Sequence, residues 1–70
     1  MILEQKIREE AGEFNGRLGD AFKKMIDENI NEVPPILEEL KVKVSDECYK
    51  EYQHIYLGVL MVYKYNRGEL

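Results

Sequence analysis

Residues 45–66 read SDECYKEYQHIYLGVLMVYKYN and hold all five tyrosines, the only cysteine and the only histidine of the chain. Cys48, Tyr52, Ile55, Val59 and Val62 recur at steps of four and three, the mark of one packed helix face. Tyr49, Tyr56, Leu60 and Tyr63 widen that face, and Leu57 and Met61 lie opposite it. From 55 to 63 the chain is therefore apolar or small all round. A surface helix has one apolar stripe, whereas a helix of this kind needs cover on most sides.

The chain has 70 residues to provide that cover. A chain this short buries about 60% of the surface its unfolded form exposes, and small scaffolds commonly recruit disulfides, a metal or a partner chain. One cysteine excludes an internal disulfide, and one cysteine with one histidine excludes an ordinary zinc site. Oligomerisation or unusually good helix packing remains. The lone cysteine fits a reducing compartment. Met1, Ile2 and Leu3 are followed at once by Glu4, which is not the start of a signal peptide. The longest apolar run, 55–63, falls well short of the roughly 20 residues of a membrane span. The expectation is a soluble, cytoplasmic protein without a membrane partner.

Fourteen acidic against ten basic residues leave a net charge of −4. That argues against direct nucleic-acid binding, whose affinity comes from Lys and Arg meeting phosphates. Excess carboxylate keeps a surface solvated; it is also what an acidic decoy for a nucleic-acid-binding protein would carry.

Along residues 2–31, Leu3, Ile7, Ala11, Phe14, Leu18, Ala21 or Phe22, and Met25 form one stripe at helical spacing, with Glu9, Glu13, Arg17, Asp20, Lys24 and Asp27 on the far side. Gly12, Gly16 and Gly19 interrupt it, at about 1 kcal/mol each against alanine. Either 15–20 contains a turn with Asp20 capping a new helix, or one helix continues through the glycines. The apolar phase does not slip across them, which favours one helix, bent near Gly16. Thirty helical residues span about 45 Å, so such a helix would leave half its seam wet without a partner chain.

Ile26, Ile30 and Val33 open a second apolar patch before Pro34 and Pro35 stop the helix. Pro35 can open a short helix, 35–40, with Ile36, Leu37 and Leu40 inward and Glu38 and Glu39 in solvent. Residues 41–44 alternate as a short extended link would. Ser45 is a good N-cap, Asp46 and Glu47 suit the positive end of a helix, and Arg67 and Gly68 suit the other end. The last helix thus runs over 46–66. Its rival is a strand over 55–65 paired with 41–44, since that stretch is rich in β-branched and aromatic residues. Helical spacing that begins at Cys48 favours the helix.

Little here resembles catalytic chemistry. His54 lies about 120° round the helix from Cys48, so the two form no dyad within one chain. Cys48 sits in a first turn, where the helix dipole lowers a thiol pKa, but Asp46, Glu47 and Glu51 oppose a thiolate. Glu51 and His54 make a single Glu-x-x-His unit; a dimetal bundle needs two, with inward-facing glutamates on other helices. The glycines of 12–19 are not a phosphate loop, because no Lys-Ser or Lys-Thr follows. No metal, cofactor or catalytic residue is expected.

The reading is all-α: a long helical hairpin, about 2–31 and 46–66, with a short helix at its corner, in a single domain that assembles as a dimeric or higher bundle. The oligomer seam would use Ile7, Phe14, Leu18, Phe22, Ile55, Leu57, Val59, Leu60 and Met61. Tyr49, Tyr52, Tyr56 and Tyr63 would face another protein, since tyrosine buries a ring and still places a hydroxyl. The expected function is non-enzymatic protein–protein binding, as a regulator, inhibitor or adaptor. The alternatives are a small apolar ligand held among Tyr52, Tyr56, Val59 and Tyr63, and the acidic decoy.

Overall fold

The computed structural model describes residues 4–69 and is all-helical: α1 (Gln5–Ala11), α2 (Glu13–Glu28), α3 (Val33–Lys41) and α4 (Asp46–Asn66). The first expected helix is divided. Gly12 adopts φ 59°, ψ −129°, a conformation open to a residue without a side chain, and separates α1 from α2. Its N–H bonds back to the carbonyls of Arg8 and Glu9, and its own carbonyl accepts from Asn15. The break costs one residue, so the apolar phase survives it: Ile7 and Ala11 before it and Phe14, Leu18, Ala21 and Met25 after it are all buried. An unbroken phase was therefore a poor guide to an unbroken helix. Gly16, where a bend was expected, and Gly19 both lie inside α2 with open space where a Cβ would sit. The expected start at Ile2 and the seam position Leu3 fall outside the described residues.

Helix α2 ends at Glu28 rather than 31. Asn29 takes the left-handed conformation that asparagine tolerates, and the Ile30 N–H reaches the Lys24 carbonyl at 3.3 Å. The next helix begins two residues earlier than proline chemistry implied. Pro34 and Pro35 occupy its first turn, where no donor is required, and Asn31 Oδ1 accepts from the Val33 N–H at 3.1 Å. Val33, Leu37 and Leu40 are buried, Ile36 is half-buried, and Glu38 and Glu39 face solvent. The expected extended link is instead a tight turn in which Lys43 and Val44 both donate to the Leu40 carbonyl. Helix α4 has the expected bounds. The Ser45 hydroxyl accepts from the Cys48 N–H, and Gly68 at φ 76° closes the far end with Glu69 donating to Lys64. No strand occurs among the described residues.

The direction of the helices follows from their pairings. Ile7, Asn15 and Asn31 meet Cys48, Tyr52 and Tyr56 in that order, so α1 and α2 advance in the same sense as α4. Arg17 pairs with Glu39 and Lys24 with Glu32, so α3 returns antiparallel to α2. The expected two-helix hairpin thus gives way to an up-down-up bundle with α1 as a jointed extension of α2. The molecule measures 35 × 20 × 16 Å, too short for a straight 45 Å helix. Its core is Ile7, Ala11, Phe14, Leu18, Ala21, Met25, Val33, Leu37, Leu40, Cys48 and Tyr52. No helix in the described residues is long and apolar enough to cross a membrane.

The three glycines of the first half should respond differently to alanine. Gly12→Ala forces a side chain into a glycine conformation and should lose about 1–3 kcal/mol. Gly16→Ala and Gly19→Ala meet nothing and should each gain up to about 1 kcal/mol. Urea unfolding of the three variants reads the difference directly; equal responses at all three would contradict the break at Gly12.

Candidate interaction surface

The expected seam residues part company in the structure. Ile7, Phe14 and Leu18 are buried within the single chain and Phe22 is half-buried against the same core, so the first three are not free to meet a second copy. The expected tyrosine face is also committed internally. Tyr52 is 2% exposed and donates its hydroxyl to Asn15 Oδ1 at 2.7 Å. The Tyr56 hydroxyl accepts from Asn31 Nδ2 at 3.0 Å. Tyr63 accepts from the Arg67 guanidinium at 2.8 Å, with that cation 5.2 Å from the ring centroid. Tyr49 is half-buried beneath the Lys41 ammonium. Partners for the hydroxyls on distant segments of the same chain explain why tyrosine, rather than phenylalanine, stands at 52 and 56.

The concave apolar surface lies on the other side of α4. A shallow open groove of about 620 Å³ runs along Leu57, Gly58, Met61 and Val62, with His54, Ile55 and Val59 at its edges and Ile26 of α2 as a wall. Leu57 is 54% exposed, Met61 65% and Val62 44%, and Tyr65 continues the line at 71%. Leu57, Met61 and Tyr65 follow one another at steps of four, and Val62 lies four beyond Gly58 and three before Tyr65, so they form one broad stripe. Leu57, Met61, Ile55 and Val59 were expected at an interface. Val62 was assigned to the packed face instead, and Gly58 and Tyr65 were given no role. Tyr65 was detectable from the sequence, four residues beyond Met61 on the same face.

The four residues expected to line a ligand site are divided between core, hydrogen bonds and groove. Tyr52 fills core, Tyr56 is tied to Asn31, and of the four residues expected to line the site only Val59 borders the groove. A smaller crevice is bounded by Glu4, Ile7, Glu47 and Glu51. Among the described residues no group of three or more His, Cys, Asp and Glu side chains is placed to hold a metal ion. His54 stands exposed at the groove edge while Cys48 is fully buried, its thiol directed at the Ile7 carbonyl at 3.6 Å. Burial raises the Cys48 pKa above the ordinary 9.0, and the carboxylates of Glu10 and Glu47 push the same way. Burial also raises the Tyr52 phenol above 10.0, with Cys48 adding to it and Arg8 opposing. A protonated thiol under the core is a packing group, not a nucleophile.

No protein-family model, no curated protein and no solved structure matches this chain.

The two raised groups make stability pH-dependent in a defined sense. Both bind their proton more tightly folded than unfolded, so their contribution is complete below about pH 9 and is lost as pH climbs through the raised values. The urea midpoint should fall above that pH, and Tyr52→Phe should reduce the fall. At neutral pH Tyr52→Phe should cost about 1 kcal/mol through the lost bond to Asn15.

Proposed function

We propose that this protein is a non-enzymatic, self-associating binding module, acting as a regulator, inhibitor or adaptor, and that its contact surface is the outward face of the second half of α4. The observation that carries this reading is an apolar stripe left in water by a chain whose core is complete without it. Eleven apolar residues form that core, and none of Leu57, Met61, Val62 and Tyr65 belongs to it. Taking about 200 Å² for a large side chain, those four with Ile26 expose on the order of 500 Å² of mostly apolar surface. That is toward the upper end of the roughly 300–600 Å² reached by the largest apolar patch of a typical monomer, on a chain of only 70 residues, and such patches are often functional.

The shape of the groove favours a macromolecule over a small apolar ligand. A ligand-binding cavity encloses most of its occupant, and this groove is open along its length. A second helix, by contrast, needs an open channel along one helix face. The absence of a convergent acid, base and nucleophile among the described residues supports a binding role over catalysis. The acidic-decoy alternative has the net charge of −4 and the crevice of Glu4, Glu47 and Glu51 in its favour, but that crevice shares no residue with the apolar groove.

Sedimentation velocity across a dilution series should give a mass above the 8.3 kDa of one chain. Leu57→Lys with Met61→Lys should return the chain to monomer with unchanged helical circular dichroism, because both side chains lie in solvent. A wild-type chain that stays monomeric at all concentrations would reject self-association.

A further inference from the structure

We propose that the occupant of the α4 groove is the α4 of a second copy, running antiparallel to the first and crossing it at Gly58. The inference rests on the self-association reading and adds to it a register, a direction and a role for one residue. A two-fold axis between Gly58 and Met61 would set Gly58 of each copy against Met61 of the other, Leu57 against Val62, and His54 against Tyr65. Closed two-fold pairs of this kind are the commonest assemblies of identical chains.

Three observations converge on it. The first is area. A standard interface takes about 800 Å² from each partner, somewhat over half of it non-polar. The roughly 500 Å² exposed by Ile26, Leu57, Met61, Val62 and Tyr65 is the apolar share of such an interface.

The second is Gly58. It lies inside α4 without a positive φ, and nothing stands within 4 Å of where its Cβ would be. The single chain therefore has no use for glycine here, and glycine weakens a helix interior. A second helix does have a use for it. A missing Cβ at the centre of an apolar stripe lets the facing Met61 lie against bare backbone and brings the two axes close.

The third is charge. The stripe is flanked by Lys50 and Glu51 at one end and by Lys64 and Glu69 at the other. Antiparallel pairing in this register brings Lys50 to the C-terminal end of the second copy's α4, where the helix dipole is negative and Glu69 stands beside Arg67, and leaves Glu51 about one helical turn from its Lys64. Parallel pairing would stack Lys50 on Lys50, Glu51 on Glu51 and Lys64 on Lys64, and would align the helix dipoles.

Disulfide trapping tests the direction. His54→Cys and Tyr65→Cys are prepared separately in the full chain, and the wild type, with Cys48 buried, serves as the oxidation control. In the antiparallel pair the two positions 54 lie about 16 Å apart along the axis, beyond disulfide reach, whereas 54 of one copy faces 65 of the other. Mixing the two variants under mild oxidation should give the cross-linked heterodimer, and either variant alone should stay uncross-linked. Cross-linking of each variant with itself would overturn the antiparallel register while leaving self-association intact. No cross-link in a chain that still sediments as a dimer would place the contact on another face. A monomer would remove the self-association reading and this inference together.

Gly58→Ala tests the close approach separately. Its urea midpoint should rise in the Leu57→Lys, Met61→Lys monomer, while in the otherwise wild-type chain the dimer should weaken by about tenfold or more. A dimer that Gly58→Ala leaves unchanged or tightens would overturn the glycine's contact role.

Discussion

Helix α4 is longer than the helices that cover it. Its 21 residues span about 31 Å, against about 24 Å for the 16 residues of α2 and about 14 Å for the nine of α3. Cover is richest over its first half, where α1, α2 and α3 converge and Cys48 and Tyr52 are fully enclosed. Past Tyr56 only one side is packed, by partly buried Val59, Leu60 and Tyr63. Among the described residues the opposite side meets only Ile26 of α2, because the shorter α2 and α3 are engaged in closing the core. This mismatch produces both the compact end and the apolar groove.

Polar groups set the register within that packing. The hydroxyls of Tyr52 and Tyr56 bond to Asn15 and Asn31, which stand at the start of α2 and just before α3. Asn31 also accepts from the Val33 N–H, so one side chain ends a loop, starts a helix and fixes α4 against both. Among the described residues no buried side-chain nitrogen or oxygen lacks a partner. Sliding α4 by one turn would orphan both tyrosine hydroxyls, which is costly wherever water cannot replace the lost bond. The surface ion pairs Arg17–Glu39 and Lys24–Glu32 follow the same register but are solvent-exposed and contribute little.

The two side chains that most often carry catalysis stand far apart in this fold. Its one thiol is a protonated core group beneath Ile7, and its one imidazole stands apart in solvent. Our reading of the protein as a self-associating module comes from the uncovered side of α4, where apolar residues recur without an intramolecular reason. Gly58 sharpens that reading, since it weakens the helix it belongs to and contacts nothing in its own chain.

Much of the architecture was legible in the sequence. The all-helical class, the bounds of α4, its Ser45 cap and the Gly68 stop are local properties, written in residue spacing and terminal chemistry within a few positions of each other. The inward face of the first thirty residues was equally legible from Ile7 to Met25. What the spacing could not reveal was the joint at Gly12, because a one-residue break preserves the phase of the stripe on either side. Nor could it show which apolar face of α4 would be covered. Cys48, Tyr52, Leu57 and Met61 are all compatible with a core, and only the lengths and directions of α2 and α3 decide that the first two are enclosed and the last two left in water. The sequence alone determined the helical class and the bounds of α4, because helix formation is governed by neighbours three and four positions away. The tertiary structure decided which helical residues are free to bind, because burial depends on how much helix the rest of the chain can bring alongside.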